Sequence, residues 1–181
     1  SPARGLRNLL EIWNFVLNSF PEARLRVYYG WETVRLYPGM STYQREMMRV
    51  IRNSRNVDYV GRLPQTELEQ DIVKYGVWAY PVGFNESFCN MGIRACAAGL
   101  VPVYRRVAAM PEIQLPSPWS VPDSDWALTG AREYVEALLG ALDASRSGTV
   151  DRQGFRAWAS RWTWARVAEA VIANMKAEGL L

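Results

Sequence analysis

Apolar residues recur at Leu9, Leu10, Trp13, Val16, Leu17 and Phe20, the spacing of one helical face, and Pro21 closes the helix they predict over about residues 5 to 20. Leu25 to Tyr29 then reads as a buried strand followed by Gly30. Ser41-Thr42-Tyr43-Gln44 has the form of a capping box, and Met47, Met48 and Ile51 supply the apolar stripe of a second helix. Val57 to Val60 predicts a short strand ending at Gly61. Thr66-Glu67-Leu68-Glu69 repeats the capping-box form, opening a helix with Leu68, Ile72 and Tyr75 inward and Gly76 as its stop. Val77 to Tyr80, a short helix from about Asn90 to Ala98 stopped by Gly99, and Leu100 to Tyr104 complete an alternating series of helices and strands.

Strands separated by helices predict a parallel, doubly wound sheet, because parallel neighbours require a crossover connection. The expected fold class is therefore α/β and Rossmann-like, with ligands bound at the carboxyl ends of the strands. The series opens on a helix with no strand in front of it. The expectation drawn from this is that residue 1 is a cut point and that a first strand has been removed. Residues 105–129 contain Pro111, Pro116, Pro118 and Pro122 and no usable periodicity. Two helices follow, over about residues 130–142 and 151–179; the second carries Trp158, Trp162, Trp164, Val167, Val171 and Met175 as expected core-packing residues. The reading divides the chain into a nucleotide-binding unit at 1–129 and C-terminal helices at 130–181 packing on it.

Composition narrows the chemistry. None of the 181 residues is histidine, which excludes Ser-His-Asp and Cys-His catalysis within this chain and imidazole-ligated metal. Cys89 and Cys96, seven positions apart on one predicted helix, would lie roughly 10 Å apart along its axis, too far for a disulfide. A reducing, cytoplasmic setting is the expectation. The net charge is +3, carried by nineteen arginines and two lysines, Lys74 and Lys176. Arg45, Arg49, Arg52 and Arg55 form a stripe interrupted by Glu46; it reads as a solvated face rather than a nucleic-acid site, and leaves room for peripheral contact with an anionic membrane. Residues 143–154 have an EF-hand-like outline but lack carboxylates at the third and fifth positions and place Gly154 where the bidentate glutamate belongs, so they read as a turn between helices.

The richest stretch runs from Gly83 through Glu86, Cys89, Asn90, Met91, Gly92 and Arg94 to Gly99 and Val103. It is a strand end, a polar turn with one carboxylate, and the N-terminus of a small-residue helix. Free amides and the helix dipole there suit a phosphate. The residues by themselves fit either an anion site beside a carboxylate or an ordinary capped helix beside a solvated glutamate.

Glu86-Ser-Phe followed by Ala95-Cys-Ala-Ala-Gly-Leu-Val-Pro-Val103 resembles the signature region of the retaining glycosyltransferases of family 4, which have the GT-B fold. Supporting matches follow in order at Arg4-Gly5-Leu6, Arg26-Val-Tyr-Tyr-Gly30, Val57-Asp-Tyr-Val-Gly61-Arg62, Tyr75-Gly76-Val-Trp-Ala-Tyr-Pro81 and Pro111-Glu112-Ile113, so the resemblance covers about residues 1–113. It implies the C-terminal, nucleotide-sugar-binding half of an enzyme that moves a hexose-type sugar to a glycan, lipid or other acceptor. The acceptor-binding half would be a missing N-terminal domain, and this half alone would be inactive. Arg4 matches the residue that neutralises the donor diphosphate, and Glu86 the glutamate that contacts the transferred sugar. The amides of Asn90, Met91 and Gly92 match donors to sugar and phosphate, and Gly61, Arg62 and Leu63 match the loop flanking the base. The resemblance implies no metal or other cofactor. One position departs: Arg94 stands where the family's second glutamate grips the ribose hydroxyls, and a guanidinium has only donors to offer. Either Arg94 binds something else, such as phosphate, or donor binding is weakened or lost, leaving a Rossmann-like module with an interaction role.

Overall fold

A computed structural model describes the chain at residues 4–28, 30–31 and 39–180. Tyr29, the expected end of the first strand, lies outside the described residues. The elements are α1 (Leu6–Ser19), β1 (Leu25–Val27), α2 (Met40–Asn53), β2 (Val57–Tyr59), α3 (Gln65–Ile72), β3 (Val77–Tyr80), α4 (Asn90–Ala98), β4 (Val101–Arg105), α5 (Met110–Ile113), β5 (Ser120–Val121), a π-helical turn at Trp126–Gly130, α6 (Ala131–Ser147), α7 (Arg152–Ala159) and α8 (Trp164–Ala177).

The fold is Rossmann-like α/β, but the described strands form two parallel sheets instead of one: β1 with β2, and β3, β4 and β5 in that order. Leu25 lies opposite Val57 in the first, and Val77 opposite Val101 in the second. Helices α1 and α6 pack together and α6 also lies against β3, β4 and β5, while α4 and α7 pack against each other, with α3 beside α4. The larger core joins Trp13, Val16 and Leu17 of α1 to Val101 and Val103 of β4 and Tyr134 and Leu138 of α6. A smaller one joins Leu6 and Leu10 to Val27 and to Met47 and Ile51 of α2.

Several local expectations change. Neither capping box forms: Gly39, at φ 76°, precedes α2, and Pro64 precedes α3, neither helix having a side-chain cap. Gln65 instead donates to Glu69 within α3, at 3.0 Å. The helices start at Met40 and Gln65, so Ser41 and Thr66 fall inside the first turn and are not placed to cap it. Helix α3 also stops before Gly76. The proline-rich stretch contributes β5, a third strand that its lack of alternation hid, and the long final helix breaks between Ala159 and Trp164. Trp158 is buried as expected, but Trp164 is 87% exposed, and Val167 and Val171 are exposed beside it. The apolar stripe of α8 is therefore uncovered, so its core-packing expectation is corrected. The EF-hand outline dissolves into helix ends: Gly148 closes α6 at φ 72°, and the Asp151 carboxylate accepts the Gly154 amide at 2.8 Å as the cap of α7.

One polar cluster ties β1 to α3. Asp71, 8% exposed, accepts hydrogen bonds from Arg26 at 2.9 Å and from the Tyr28 hydroxyl at 2.8 Å through one oxygen, and from Lys74 at 2.9 Å through the other. Hydrogen bonds from Lys74, Tyr28 and Arg26 outweigh the desolvation that opposes them and hold its carboxyl down at about 2. A carboxyl depressed in the folded state contributes stability that is complete above its unfolded value near 4 and is lost as pH falls through about 2. Unfolding midpoints of the chain and of Asp71→Asn, measured against pH, are expected to converge across that window. Parallel profiles would show that the cluster does not hold the carboxylate.

Candidate functional site

Within the larger sheet the strands are parallel, so the carboxyl ends of β3, β4 and β5 and the loops leaving them share one edge, the edge where such sheets take ligands. The loop after β3 carries Glu86 six residues beyond Tyr80. Its backbone is tied down at both ends: Arg105 donates to the Val82 carbonyl at 2.9 Å, and the Ala109 amide donates to the Glu86 carbonyl at 3.1 Å. Glu86 is 7% exposed, and the Tyr80 hydroxyl donates to its Oε2 at 2.7 Å. Burial, reinforced by the Glu86 carboxylate, pushes the Tyr80 hydroxyl far above its ordinary pKa, so it remains a donor. The glutamate is thus aimed by a tyrosine rather than solvated.

Arg4 reaches the same loop. Gly5, at φ 84°, sits so close to β3 that a Cβ there would fall 2.2 Å from the Pro81 carbonyl oxygen, so only glycine permits this approach. The result is an exposed Arg4 whose guanidinium carbon lies 5.5 Å from the centre of the Phe84 ring, two residues before Glu86. Its charge is felt by both Tyr80 and Cys89, which places it in the same electrostatic neighbourhood as the buried carboxylate.

The first turn of α4 completes this group, but its amides are less free than expected. The Asn90 amide donates to the Phe88 carbonyl at 3.2 Å, and the Gly92 amide to the Cys89 carbonyl at 3.0 Å. The amides of Gly92 and Met91 also face the sulfur of Cys89. Gly92 is buried for packing: a Cβ there would lie 2.8 Å from Leu115 and 3.3 Å from Trp78, so the glycine lets α4 settle on the sheet. Cys89 and Cys96 are both free and buried, and burial pushes their thiols up to about 11 and about 12. They are inert at neutral pH.

The other expected site residues lie apart. Gly61, Arg62 and Leu63 follow β2, in the first sheet; Gly61 is buried at φ 80° and Arg62 is exposed. Arg94 points across to α3, where its Nη1 lies 3.6 Å from Glu69. Between the two sheets runs a groove of about 600 Å³ lined by Arg4 and Met91 among others; Glu86, Asn90, Gly92, Arg94 and the residues 61–63 are outside its lining.

Two residues that sequence reasoning missed organise the site. Tyr80 looked like a strand residue and is the hydrogen-bond partner of Glu86. Arg105, one of nineteen arginines, looked like surface; it is 6% exposed, with Nη2 on Asp123 at 2.8 Å and on the Ser124 carbonyl. Its place at the end of an entirely apolar strand was the available signal. Among the described residues no cluster of three or more acidic or sulfur side chains is arranged to hold a metal ion, and no helix is long and apolar enough to cross a membrane. No family model matches the chain, and no curated protein matches it.

Proposed function

We propose that the chain is the nucleotide-sugar-binding half of a retaining glycosyltransferase. The observation that carries this reading is the convergence, at the carboxyl end of β3, of the buried, tyrosine-oriented Glu86 with the exposed Arg4 beside the first turn of α4. In such a reaction the leaving nucleoside diphosphate gains charge as the glycosidic bond breaks, and a fixed cation stabilises it. Arg4 would serve there. Glu86 would accept hydroxyl protons of the transferred sugar, with Tyr80 holding one of its oxygens in place. The acceptor would be bound by a separate domain.

Arg94 favours a second reading, a Rossmann-like module without a donor. The cation at this position is engaged with Glu69, and it offers a ribose no acceptor. Titration calorimetry with UDP-, GDP- and ADP-sugars separates the two. Saturable heat with one of them is expected under the first reading; a folded sample that binds none of them supports the second. With a binding donor in hand, Arg4→Ala and Glu86→Gln are each expected to weaken its affinity about tenfold or more, the scale of one charge-assisted contact. Affinities that survive both substitutions would remove these assignments.

A further inference from the structure

We propose that a row of aromatic side chains running from α7 to the Glu86 loop is a binding track for a glycan chain. The proposal rests on the glycosyltransferase reading for its purpose, and narrows the acceptor from a glycan, lipid or other molecule to a polymer of sugar rings.

The row follows from the way two helices pack. Arg152 and Arg156 of α7 donate to the carbonyls of Gly99, at 2.6 Å, and Ala98, at 3.3 Å, so the start of α7 lies at the end of α4. The far end of α7 therefore rises toward the start of α4, the edge that carries Glu86. The turn beyond α7 keeps helical bonding, the Trp162 amide donating to the Ala159 carbonyl at 3.0 Å. Phe155, Trp158 and Trp162 thus share one face at helical spacing. The Trp162 ring lies 5.7 Å from the Trp158 ring and 5.7 Å from the ring of Phe88, which is two residues beyond Glu86. At the other end, Phe155 and Trp158 help to line a hollow of about 580 Å³ with Pro116, Asp151 and Arg161. That volume falls within the range of about 300–1,000 Å³ usual for ligand pockets.

Burial divides the row into a support and a platform. Phe155 and Trp158 are 7% and 9% exposed, whereas Trp162 and Phe88 are 38% and 44% exposed. The outer rings are held from behind by the inner ones and remain open to solvent. Rings fixed in this way cost little ordering entropy when a ligand arrives.

The chemistry of the row selects the occupant. A pyranose presents C–H groups on the two sides of its ring and hydroxyls around its rim. The C–H groups are attracted to the electron-rich face of an aromatic ring, and the hydroxyls need donors and acceptors. Both are present. Ser87 and Asn90 are exposed on either side of Phe88. Arg161 donates its Nε to the Trp158 carbonyl at 3.4 Å and has no carboxylate partner among the described residues. Asp151 uses one oxygen on the Gly154 amide and has none of the described residues on the other. An exposed apolar patch rimmed by polar groups marks a binding surface. The ring-to-ring steps are close to the length of a single sugar residue, so successive residues of a glycan can meet successive rings. An acyl chain or a protein core would call for exposed aliphatic side chains. The row has none, and those of this end of the chain, Val167, Val171 and Ile172, belong to α8. The row also ends beside the loop of Glu86, the carboxylate assigned to the transferred sugar.

NMR of the indole N–H groups of the eight tryptophans tests the proposal, with the 181-residue chain titrated with maltohexaose, cellohexaose, chitohexaose and α-mannohexaose. At least one of these is expected to shift the Trp162 and Trp158 signals saturably and to bind more tightly than its own disaccharide. Phe88→Ala and Trp162→Ala are each expected to weaken that binding about tenfold, the scale of one lost ring contact. Phe88→Tyr and Trp162→Phe keep a ring in place, which guards against a loss of fold, and are expected to retain most of the affinity. Trp164→Ala lies off the row and is expected to leave it unchanged. The proposal is overturned if no hexasaccharide moves the Trp162 signal, or if octanoate alone moves it, which would make the rings a surface for acyl chains. It is equally overturned if Trp164→Ala weakens binding as much as Trp162→Ala does. Calorimetry with nucleotide-sugars separates its failure from that of the underlying reading. A chain that binds a nucleotide-sugar but no glycan loses the track and keeps the donor site; one that binds a glycan but no nucleotide-sugar keeps the track and loses the donor site; binding of neither overturns both.

Discussion

Tyr134→Ala is expected to lower the free energy of unfolding by about 4 kcal/mol, the range for truncating a large buried aromatic. Tyr134 has no exposed surface and is one of the largest fully buried side chains. Its hydroxyl donates to the Val103 carbonyl at 2.9 Å, and its ring lies 5.8 Å from Trp126. It is the contact through which α6 grips the middle strand of the larger sheet, and truncation leaves a cavity that the surrounding ladder cannot close. For a chain of this size each kcal/mol moves the thermal midpoint by about 2–4 °C, so a fall of about 8–16 °C is expected in a melting experiment. Tyr134→Phe keeps the ring and removes one hydrogen bond, for a loss of about 1 kcal/mol. A Tyr134→Ala midpoint matching that of the unaltered chain would mean that α6 does not dock on β4 as described.

The second large effect is expected at Arg105. Arg105→Met keeps most of the buried stem but deletes hydrogen bonds to the Val82 carbonyl, to Asp123 and to the Ser124 carbonyl. Asp123 is 60% exposed and regains water, so the loss falls mainly on the carbonyls and is expected to be about 3 kcal/mol. The consequence for the site is more specific. Arg105 anchors one end of the loop that carries Glu86, so the variant is expected to loosen that loop, read as faster amide exchange over residues 82–88, beyond the loss of global stability. Arg105→Lys reaches one partner at a time and is expected to recover part of the stability but little of the loop protection. Equal exchange in all three proteins would show that Arg105 is a packing residue only.

Much of the fold was legible because it rests on local periodicity. The Leu9 to Phe20 stripe, the apolar runs at 25, 57, 77 and 101, and Gly99 as the stop of α4 each state their conformation within about a dozen residues. Three features were not legible for physical reasons. Neighbours in space cover β5, so its two residues need no alternation of their own. The capping boxes failed because α2 and α3 start one residue before Ser41 and Thr66, at Met40 and Gln65, which puts both hydroxyls inside the first turn. The apolar stripe of α8 has the composition of a core face, and periodicity cannot state whether anything lies against it.

The candidate site divides the same way. The start of α4 and the carboxylate beside it were named from residue types, Arg4 from the family resemblance, and the fold brings them to one strand end. Gly92 was read as a point of ligand approach and serves the packing of α4 on Trp78 and Leu115. Tyr80 and Arg105 were passed over because their roles depend on partners six and twenty-three residues away.

The amino-acid sequence by itself determined the alternation of helices and strands, the parallel sense of the pairing and the exclusion of histidine chemistry, since each follows from local pattern or from composition. Tertiary structure alone decided that Glu86 is buried under a tyrosine hydroxyl, that Arg94 turns to Glu69, and that the described strands form two sheets instead of one. Those outcomes depend on which backbone edges and side chains meet across the fold, and distance along the chain carries no record of that.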